Sequence, residues 1–487
     1  MRISLYVKSF LLIFSVSVVL SCAVNPVTGK KQIMLTSESQ EIEMGRQYDP
    51  EVIAAFGEYR NDQLQALIQQ KGNEMGKISH RPNLEYHFRI LDSPVVNAFA
   101  VPGGYVYLTR GILAQLNNEA ELAGVVGHEM GHIAARHTVS QQSKQQLGQL
   151  ILIGGIIASR ELQQYADYAM QGMQLLFLKF SRDDENQADK LGVEYSSKIG
   201  YDAHKMADFF QVLDKMSMAS NQGGVPTFLS THPDPGDRYN AVNAEAASWQ
   251  KKLSYTSYKV DSESYLKMID GIVYGEDPRQ GYVEGNAFYH PEMKFRFAIP
   301  AGWQLENSPM QVTMAPKDGK ALIIFTLSKH KTAEEAAKST VDELGLTQLD
   351  SKKTTLNGFP AMIINSRQVS QNQNTGLKDS VRIISSYIEY NSSVYAFHGL
   401  SAESGFSAYT GVLQSAAGSF ARLTDPSRIN VKPRKIRIKP APRQATMAET
   451  LKAFGVQQKD LGSLALLNNI ELNQQVQAGK LIKIIAE

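Results

Sequence analysis

The chain of 487 residues contains a single cysteine, Cys22, and this scarcity limits how the protein is held together. One cysteine cannot form an intramolecular disulfide, and it cannot build a zinc site from several thiolates. Glycine and proline, at 36 and 18 residues, are too few for a collagen-like or proline-rich architecture. Stability therefore has to come from ordinary hydrophobic cores, and the length is typical of about three domains.

The chain also lacks an excess of charge of either sign. Its 50 lysines and arginines nearly balance its 48 aspartates and glutamates, which leaves a formal net charge of +2. Proteins that bind nucleic acid mainly through phosphate contacts usually carry a strongly basic domain. We therefore expect no nucleic-acid partner, and only local basic stretches need an explanation.

No apolar run reaches the roughly 20 residues that a membrane-spanning helix needs. The apolar stretch at residues 10–20 follows Arg2 and Lys8 and ends at small residues, as is typical of a secretory signal. Residues 1–22 are therefore predicted to be a signal peptide. We expect the mature protein on the periplasmic side of a bacterial envelope.

The end of this predicted signal also contains a motif typical of lipid attachment. Val19-Leu20-Ser21-Cys22 resembles the bacterial lipobox, in which the signal is cut before a cysteine that carries lipid. The resemblance implies lipidation of Cys22 and anchoring of the protein to a membrane by its acyl chains. Ala23, rather than aspartate, follows the cysteine, which implies the outer membrane. The alternative is an ordinary signal peptide in which the cysteine has no role.

The strongest chemical signal is the sequence H-E-M-G-H at residues 128–132. Two histidines four residues apart lie on one face of a helix, so the imidazoles of His128 and His132 reach a single metal ion. Glu129 is placed beside them as a general base. The surrounding pattern predicts a helix from Asn118 to about residue 143, with a buried apolar stripe that holds the ligands rigidly.

A catalytic zinc site needs a third protein ligand and one open coordination position. Because the only cysteine lies in the predicted signal, this ligand has to be a histidine or a carboxylate. Glu185 and Asp189 are the best candidates, since they share one face of a helix predicted over 182–198. Glu185 would bind the metal, and Asp189 would orient a ligand imidazole or assist proton transfer. From its spacing alone, the pair is also compatible with an exposed acidic helix face.

Three motifs in this order resemble the HtpX and CaaX-prenyl-protease type of zinc metallopeptidases. They are Asn97-Ala98-Phe99-Ala100-x-Pro102-Gly103-Gly104, the H-E-x-x-H sequence at 128–132, and Glu185-x-x-x-Asp189. The resemblance covers residues 25 to about 240 and implies a gluzincin fold with one zinc ion. It implies these roles: His128, His132 and Glu185 as zinc ligands, Glu129 as the general base that activates the zinc-bound water, and Asp189 as an assisting acid.

Many proteins of this type are integral membrane proteins, whereas this chain has no long apolar span after the signal. Its residues 150–158 are apolar but too short to cross a bilayer. We expect them to form a buried segment or a cover over the active-site cleft.

The segment 230–238, which reads S-T-H-P-D-P-G-D-R, supplies two further candidate site residues. The oxyanion formed during peptide hydrolysis needs a hydrogen-bond donor, and His232 or Arg238 would contact it. Alternatively, His232 occupies the open zinc position and holds the enzyme inactive, or it only packs the loop. His137 is expected on the helix surface rather than at the metal.

Substrate binding is expected at the strand near residues 101–108, with Val101, Gly103, Gly104 and Val106 as the candidate contacts. An extended peptide adds to a free sheet edge through backbone hydrogen bonds, which are indifferent to side-chain sequence. This mode of recognition requires an unfolded segment. The expected partners are therefore unfolded or misassembled envelope proteins.

The predicted fold is multidomain, and its first domain, at 23–265, is a mainly α zincin-type peptidase domain with a small sheet. Residues 286–425 show strand-like alternation and predict an α+β domain, to which we assign no role. Residues 426–443 are basic and rich in proline and are predicted to be a linker. Residues 444–487 resemble a LysM module, a small βααβ unit, which implies peptidoglycan as a partner. The alternative for this module is a structural cap or a protein-docking unit.

Two functions remain open at this point. The first is a lipid-anchored zinc endopeptidase that hydrolyses unfolded or misassembled envelope proteins. The second is a catalytically silent lipoprotein that binds peptidoglycan or grips protein chains as a holdase. The complete set of ligands and base favours the peptidase, because a holdase does not require Glu129.

Overall fold

The computed structural model describes residues 22–143, 180–219, 227–233, 237–371 and 378–487. Most of the predicted signal peptide, the apolar stretch at 150–158 and a further helix predicted near 160–178 lie outside these residues. Among the helices in the described part of the chain, none combines the length and apolar character needed to cross a membrane.

The first part of the structure is mainly helical and contains two small sheets, in agreement with the predicted fold class. Its strands are β1 (Cys22–Val24), β2 (Lys31–Ile33), β3 (His87–Leu91), β4 (Ala98–Val101) and β5 (Tyr105–Thr109). Its helices are α1 (Glu38–Phe56), α2 (Asp62–Ile78), α3 (Arg110–Gln115), α4 (Glu119–Ala134), α5 (Arg182–Lys198), α6 (His204–Ala219), α7 (Thr227–Thr231), α8 (Arg238–Leu253) and α9 (Ser262–Ile269).

Polar caps fix where the important helices begin. The Ser37 side chain accepts the backbone N–H of Gln40 at the start of α1, and the Gln40 side chain accepts the N–H of Ser37. Asn118 caps α4 in the same way, through the N–H of Glu121, and Ser181 caps α5. Because such caps satisfy N–H groups that a helix leaves unpaired, the two motif-bearing helices start at defined positions.

Strand β5 is the centre of a three-stranded sheet, parallel to β3 and antiparallel to β4. The turn between β4 and β5 depends on Gly103 and Gly104, whose φ angles are 85° and 99°. A Cβ on Gly103 would lie 2.8 Å from the carbonyl oxygen of Glu41, and one on Gly104 would lie 2.2 Å from that of Glu85. The strand expected near residues 101–108 is thus one of two antiparallel strands, and β4 is the edge strand of the pair.

Helix α4 ends earlier than its sequence pattern predicts. The pattern predicts a helix to about residue 143, but α4 ends at Ala134, Arg136 has a left-handed φ of 58°, and residues 137–143 are helical again. The Arg136 side chain holds this break, since its Nε–H donates to Glu41 (2.8 Å) and its Nη2 to the carbonyl of Thr36 (3.0 Å). No glycine or proline marks the break in the sequence.

The second part of the structure is built on antiparallel sheets, as the predicted α+β domain requires. Its strands are β6 (Tyr282–Glu284), β7 (Ala287–His290), β8 (Phe295–Ala298), β9 (Trp303–Asn307), β10 (Gln311–Pro316), β11 (Ala321–Ser328), β12 (Thr347–Leu356), β13 (Phe359–Gln371), β14 (Lys378–Tyr390), β15 (Ser393–Ala402) and β16 (Ala421–Arg422). Its helices are α10 (Ala333–Glu343) and α11 (Phe406–Gly418). The large sheet has the order β12-β13-β14-β15-β11-β10-β9, and α10 and α11 pack on its opposite faces.

The chain ends in a small module. Its elements are α12 (Pro426–Ile429), β17 (Lys435–Pro440), β18 (Ala445–Thr446), α13 (Met447–Ala453), α14 (Leu461–Leu467), β19 (Gln475–Val476) and β20 (Leu481–Ala486). Strand β17 pairs antiparallel with β20, so the prediction of a linker over 426–443 is wrong for this stretch. Ile436 and Ile438 alternate with basic residues and turn inward, and that alternation was hidden by the basic composition. The likeness to LysM stays a prediction.

The terminal module shares its core with the helical part. Ile436, Leu451 and Ile482 belong to the same cluster of buried side chains as Val125 and Met130 of α4. The module therefore packs on the helical part, where β17 and β20 contact α9 and α14 contacts α6.

Candidate metal centre

Two helices bring the motifs together because glycine lets them approach closely. A Cβ at Gly127 of α4 would lie 3.0 Å from the carbonyl oxygen of Gly192 on α5, and one at Gly131 would lie 3.1 Å from that of Ala188. A larger residue at either position would push the helices apart. The glycine inside the H-E-M-G-H sequence is thus needed for the contact with α5.

Four side chains converge between these helices, and all four are fully buried: His128, His132, Glu185 and His232. The Nε2 atom of His128 lies 3.1 Å from Nε2 of His132 and 3.2 Å from Nδ1 of His232. Glu185 Oε1 lies 3.4 Å from His132 Nε2 and 3.0 Å from His232 Nδ1. One nitrogen or oxygen atom from each residue lies within 4.8 Å of the others, so this cluster is able to hold a metal ion.

Buried polar atoms without partners show that the cluster suits a cation and a polar ligand. Both carboxylate oxygens of Glu129 are buried and have no hydrogen-bond partner among the described residues, and the same holds for Nε2 of His232. These two groups face each other, with 3.6 Å between His232 Nε2 and Glu129 Oε1. Burying an unpaired carboxylate is costly. Imidazole nitrogens and carboxylate oxygens are also the donors that Zn²⁺ prefers, so these residues fit a zinc ion.

The pKa values of the two carboxyl groups at the centre, Glu129 and Glu185, are shifted in opposite directions. Burial raises the pKa of Glu129 above its ordinary value, because the charged form loses its solvation. Burial acts in the same direction on Glu185, but the neighbouring His232 and His132 outweigh it and hold the pKa of Glu185 well below its usual range. Burial places the pKa of His132 well below its ordinary value. Glu185 is therefore a charged ligand and His132 a neutral one, as metal binding requires.

Asp189 and Arg238 lie behind His128. Asp189 Oδ1 is 2.9 Å from His128 Nδ1, the ring nitrogen that faces away from the cluster. Arg238 donates from Nε (2.8 Å) and Nη2 (2.6 Å) to Asp189, and its Nη2 also lies 3.4 Å from Glu185 Oε2. Burial by itself would raise the pKa of Asp189, but Arg238 and His128 lower it. This geometry favours the first role considered for Asp189, which is to orient a ligand imidazole.

His232 belongs to the cluster rather than only to a loop. Helix α7 ends just before it, and its ring stacks on Phe228 with 4.5 Å between ring centroids. Burial alone would lower the pKa of His232, but the carboxylates of Glu185 and Glu129 raise it. Its Nδ1 lies among the ligand atoms, and this position agrees with the alternative in which His232 occupies the open zinc position. Residues 234–236 of its loop lie outside the described residues.

The prediction that His137 lies on the helix surface is wrong. His137 is 3% exposed, and its Nδ1 lies 3.0 Å from Nδ1 of His132. Its Nε2 lies 2.9 Å from Oε1 of Gln187 on α5. In an unbroken helix, a residue five positions further on points about 140° away. The break at Arg136 removes this separation, and since nothing in the sequence marks the break, sequence reasoning missed both His137 and Gln187.

The structure corrects part of the predicted substrate-binding strand. Val106 lies on β5, which is paired on both sides, so its backbone has no free edge for a peptide. Gly103 and Gly104 pack against the backbones of Glu41, Ile42 and Glu85, which assigns them to the turn. Only Val101 lies on the edge strand β4.

Two packed helices that present buried histidine and glutamate ligands, with a second glutamate beside them, define the centre of a metallopeptidase. Comparison with known protein families agrees. Residues 62–246 match the model of Peptidase family M48, a family of zinc metallopeptidases.

Several curated proteins are similar to this chain. The "Beta-barrel assembly-enhancing protease" of Yersinia pestis is 28% identical over 307 residues, which cover 61% of this chain and 58% of that protein. The protein of the same name from Escherichia coli (strain K12) is 26% identical, with 42% and 43% covered. The human "Metalloendopeptidase OMA1, mitochondrial" is 26% identical, with 49% and 48% covered. The chain spans about half the length of these curated relatives.

Solved structures match parts of the chain weakly. Cyanobacterial PsbP from Synechocystis sp. PCC 6803 has a TM-score of 0.24 and 14% identity, covering 29% of this chain and 96% of that one. The Ran-binding protein Mog1p from Saccharomyces cerevisiae has a TM-score of 0.22 and 12% identity, covering 30% and 99%. Likenesses at this level carry no argument about function.

Proposed function

We propose that this protein is a zinc-dependent endopeptidase in which His128, His132 and Glu185 hold one zinc ion. The observation that supports it best is the burial of these three side chains around one point, beside a glutamate whose oxygens have no partner among the described residues. A zinc ion held there would lower the pKa of a bound water molecule and would polarise the carbonyl of the substrate.

The remaining chemistry belongs to Glu129. Its carboxylate accepts a proton from the attacking water and then delivers that proton to the leaving amine. The raised pKa that burial gives this carboxyl suits such a task, because a base with a pKa nearer to neutral also returns the proton readily. Asp189, held by Arg238, accepts the Nδ1–H of His128 and keeps that ring oriented. Contact of Arg238 with an oxyanion stays a prediction.

His232 would serve as a fourth ligand to a zinc ion held in this arrangement. Its Nδ1 lies as close to His128 and Glu185 as the other ligand atoms lie to one another. A catalytic zinc site needs one open position. On this proposal, His232 withdraws before a substrate carbonyl approaches.

Substrate binding uses the edge of β4 that pairs with no described strand, where the substrate has to displace whatever now buries Ala98 and Ala100. Thr109 N–H donates to the carbonyl of Asn97 (3.1 Å), and the alternation of an antiparallel pair then directs the backbone groups of Ala98 and Ala100 away from β5. An extended peptide bonded to these groups lies along β4, which packs on α4. Backbone recognition favours unfolded chains over folded ones.

The setting of this activity is the periplasmic side of a bacterial envelope, with unfolded or misassembled envelope proteins as substrates. The predicted signal at 1–22 and the lipobox resemblance at Cys22 support export and a lipid anchor in the outer membrane. The name of the bacterial relatives, which refers to β-barrel assembly, supports the same setting. The terminal module is assigned to peptidoglycan binding by its resemblance alone.

The substitution Glu129→Gln tests the mechanism. It keeps the size and the fold but removes the base, so cleavage of an unfolded protein such as casein should fall at least about 100-fold with unchanged zinc content. Glu43→Gln, at an exposed position of α1, is the matched control and should cleave normally. Unchanged cleavage by the Glu129 variant would reject the mechanism. A wild-type protein that binds casein without cutting it would support the holdase instead.

A further inference from the structure

The two histidines of the H-E-M-G-H sequence contact different residues through the ring nitrogen that faces away from the cluster. Both rings direct Nε2 into the cluster, as the 3.1 Å between these atoms shows. The Nδ1 of His128 meets the carboxylate of Asp189, whereas the Nδ1 of His132 meets another ring nitrogen, Nδ1 of His137, at 3.0 Å. Asp189 belongs to the motif Glu185-x-x-x-Asp189, so the resemblance accounts for the contact with His128. His137 lies outside the three motifs, so they do not account for its contact with His132.

The chemistry of imidazole fixes the direction of this bond. A neutral His132 that offers Nε2 to a metal carries its proton on Nδ1, so Nδ1–H donates and Nδ1 of His137 accepts. His137 then carries its own proton on Nε2, and that N–H donates to Oε1 of Gln187 at 2.9 Å. An amide oxygen is a suitable acceptor for it, so the three groups form one chain with a single direction.

The backbone break at Arg136 makes this chain possible. Arg136 is bonded to the buried carboxylate of Glu41 and to the carbonyl of Thr36, and Asn25 Nδ2 donates to the carbonyl of Ala135 (3.2 Å). Segments before the family match thus hold the turn that returns His137 to the metal ligand.

A neutral acceptor also suits the charge of the site. Three buried carboxylates already lie at or next to the ligands: Glu129, Glu185 and Asp189. A fourth carboxylate behind His132 would add repulsion in a region of low dielectric constant. An imidazole orients the ring without adding charge.

We propose that His137, itself fixed by Gln187, is a positioning residue for His132 and that it raises the affinity of the site for zinc by accepting the Nδ1–H of that ligand. The inference rests on the proposed zinc site. The inference states that a single acceptor atom, Nδ1 of His137, raises the affinity for zinc, and that the bulk of the ring does not.

A matched pair of substitutions at His137 tests whether the acceptor atom is responsible. His137→Asn places an amide oxygen where Nδ1 stands, whereas His137→Gln keeps a neutral amide but moves it to the position of Nε2. The zinc dissociation constant of each full-length variant is measured by chelator competition, and the absorption spectrum of the Co²⁺ form reports the ligand geometry. Thermal unfolding of the zinc-free proteins checks the fold. His204→Gln, which removes an Nδ1 bond to Asn243 outside the cluster, is the control.

The expected result is that His137→Gln weakens zinc binding about 10- to 100-fold and alters the Co²⁺ spectrum. His137→Asn should stay close to the wild type in both, as should the control. Equal affinity in the Gln variant and the wild type would overturn the inference, and so would an equal loss in the Gln and Asn variants, since that would assign the effect to the ring. A wild-type protein that binds no zinc would instead refute the proposed function.

Discussion

At the scale of single residues, the direction in which each ring nitrogen points separates the histidines of the centre. His128 and His132 turn Nε2 toward the cluster, while His232 turns Nδ1 toward it and leaves Nε2 near Glu129. A ring in this position competes with water for the metal and for the base at once. His232 is therefore the residue most directly able to restrain the reaction.

Replacing His232 with alanine should accelerate cleavage. The substitution removes the fourth donor, opens a coordination position and frees Glu129 to meet water, so kcat/KM for an unfolded substrate such as casein is expected to rise several-fold. Zinc content should stay at one ion per chain, which serves as the control. A fall of about 100-fold or more in kcat/KM would contradict this account and assign His232 to the oxyanion. An unchanged rate would leave it a packing role only.

Spacing along the chain indicated five of the residues at the centre, which are His128, Glu129, His132, Glu185 and Asp189. His128 and His132, like Glu185 and Asp189, are four residues apart, and helices keep that spacing on one face. The segment around His232 gave only alternatives, because its position depends on a loop. The position of His137 could not be predicted, because it depends on the left-handed backbone of Arg136, which no local sequence pattern indicates.

At the scale of helices and strands, the sequence pattern agrees with the structure where capping residues or alternating apolar residues mark an element. It fails where the overall composition of a segment hides such a pattern. Ser37 caps α1 and Gly103 lies in the turn that joins β4 to β5, and both features depend only on residues close by in the sequence. The strand β17 was hidden because its basic residues dominate the composition. Its partner, β20, lies more than 40 residues further along the chain, and pairing over such distances leaves little trace in sequence.

The large sheet should lose stability in acid because of a partly buried histidine, His398, on β15. Burial lowers the pKa of His398 to about 4, and its Nδ1 bonds with the hydroxyl of Ser385 (2.9 Å). The unfolded chain takes up a proton near pH 6.5 and the folded chain does not. Stability is thus complete above pH 6.5 and falls as the pH approaches 4, by about 2–3 kcal/mol at pH 4.5.

Thermal unfolding at pH 7 and pH 4.5 measures this effect. The variant His398→Asn keeps an acceptor for Ser385 but does not titrate, so the difference between its two unfolding temperatures should be smaller than in the wild type. Some acid sensitivity should persist, because burial lowers the pKa of His290 to about 4 as well. An unchanged difference would show that His398 is not the responsible group.

At the scale of the whole molecule, the terminal module behaves as part of the helical region. Lys483 on β20 is fully buried, and its Nζ donates to the carbonyls of Ala114, Gln115 and Leu116 at 3.0, 2.9 and 3.0 Å. These carbonyls end α3, immediately before Asn118 caps the helix that carries the motif. The sequence indicated a separate module, and only the long-range contacts show that it supports the start of α4.

Replacing Lys483 with methionine should therefore destabilise the helical region and not only the module. The substitution keeps a long side chain but leaves three buried carbonyls without their donor, at a cost of about 2–4 kcal/mol. Urea unfolding measures the loss, and Lys480→Met, at an exposed position, is the control. An unfolding midpoint like that of the wild type would show that the module does not support the helices.

The account depends most on a single ion held between α4 and α5. The most direct measurement is the zinc content of the purified protein, determined by elemental analysis for the wild type and for His132→Ala. One equivalent of zinc per chain, lost in the variant, is the predicted result. No zinc in the wild type, or an undiminished equivalent in the variant, would contradict the assignment of His128, His132 and Glu185 as the metal ligands.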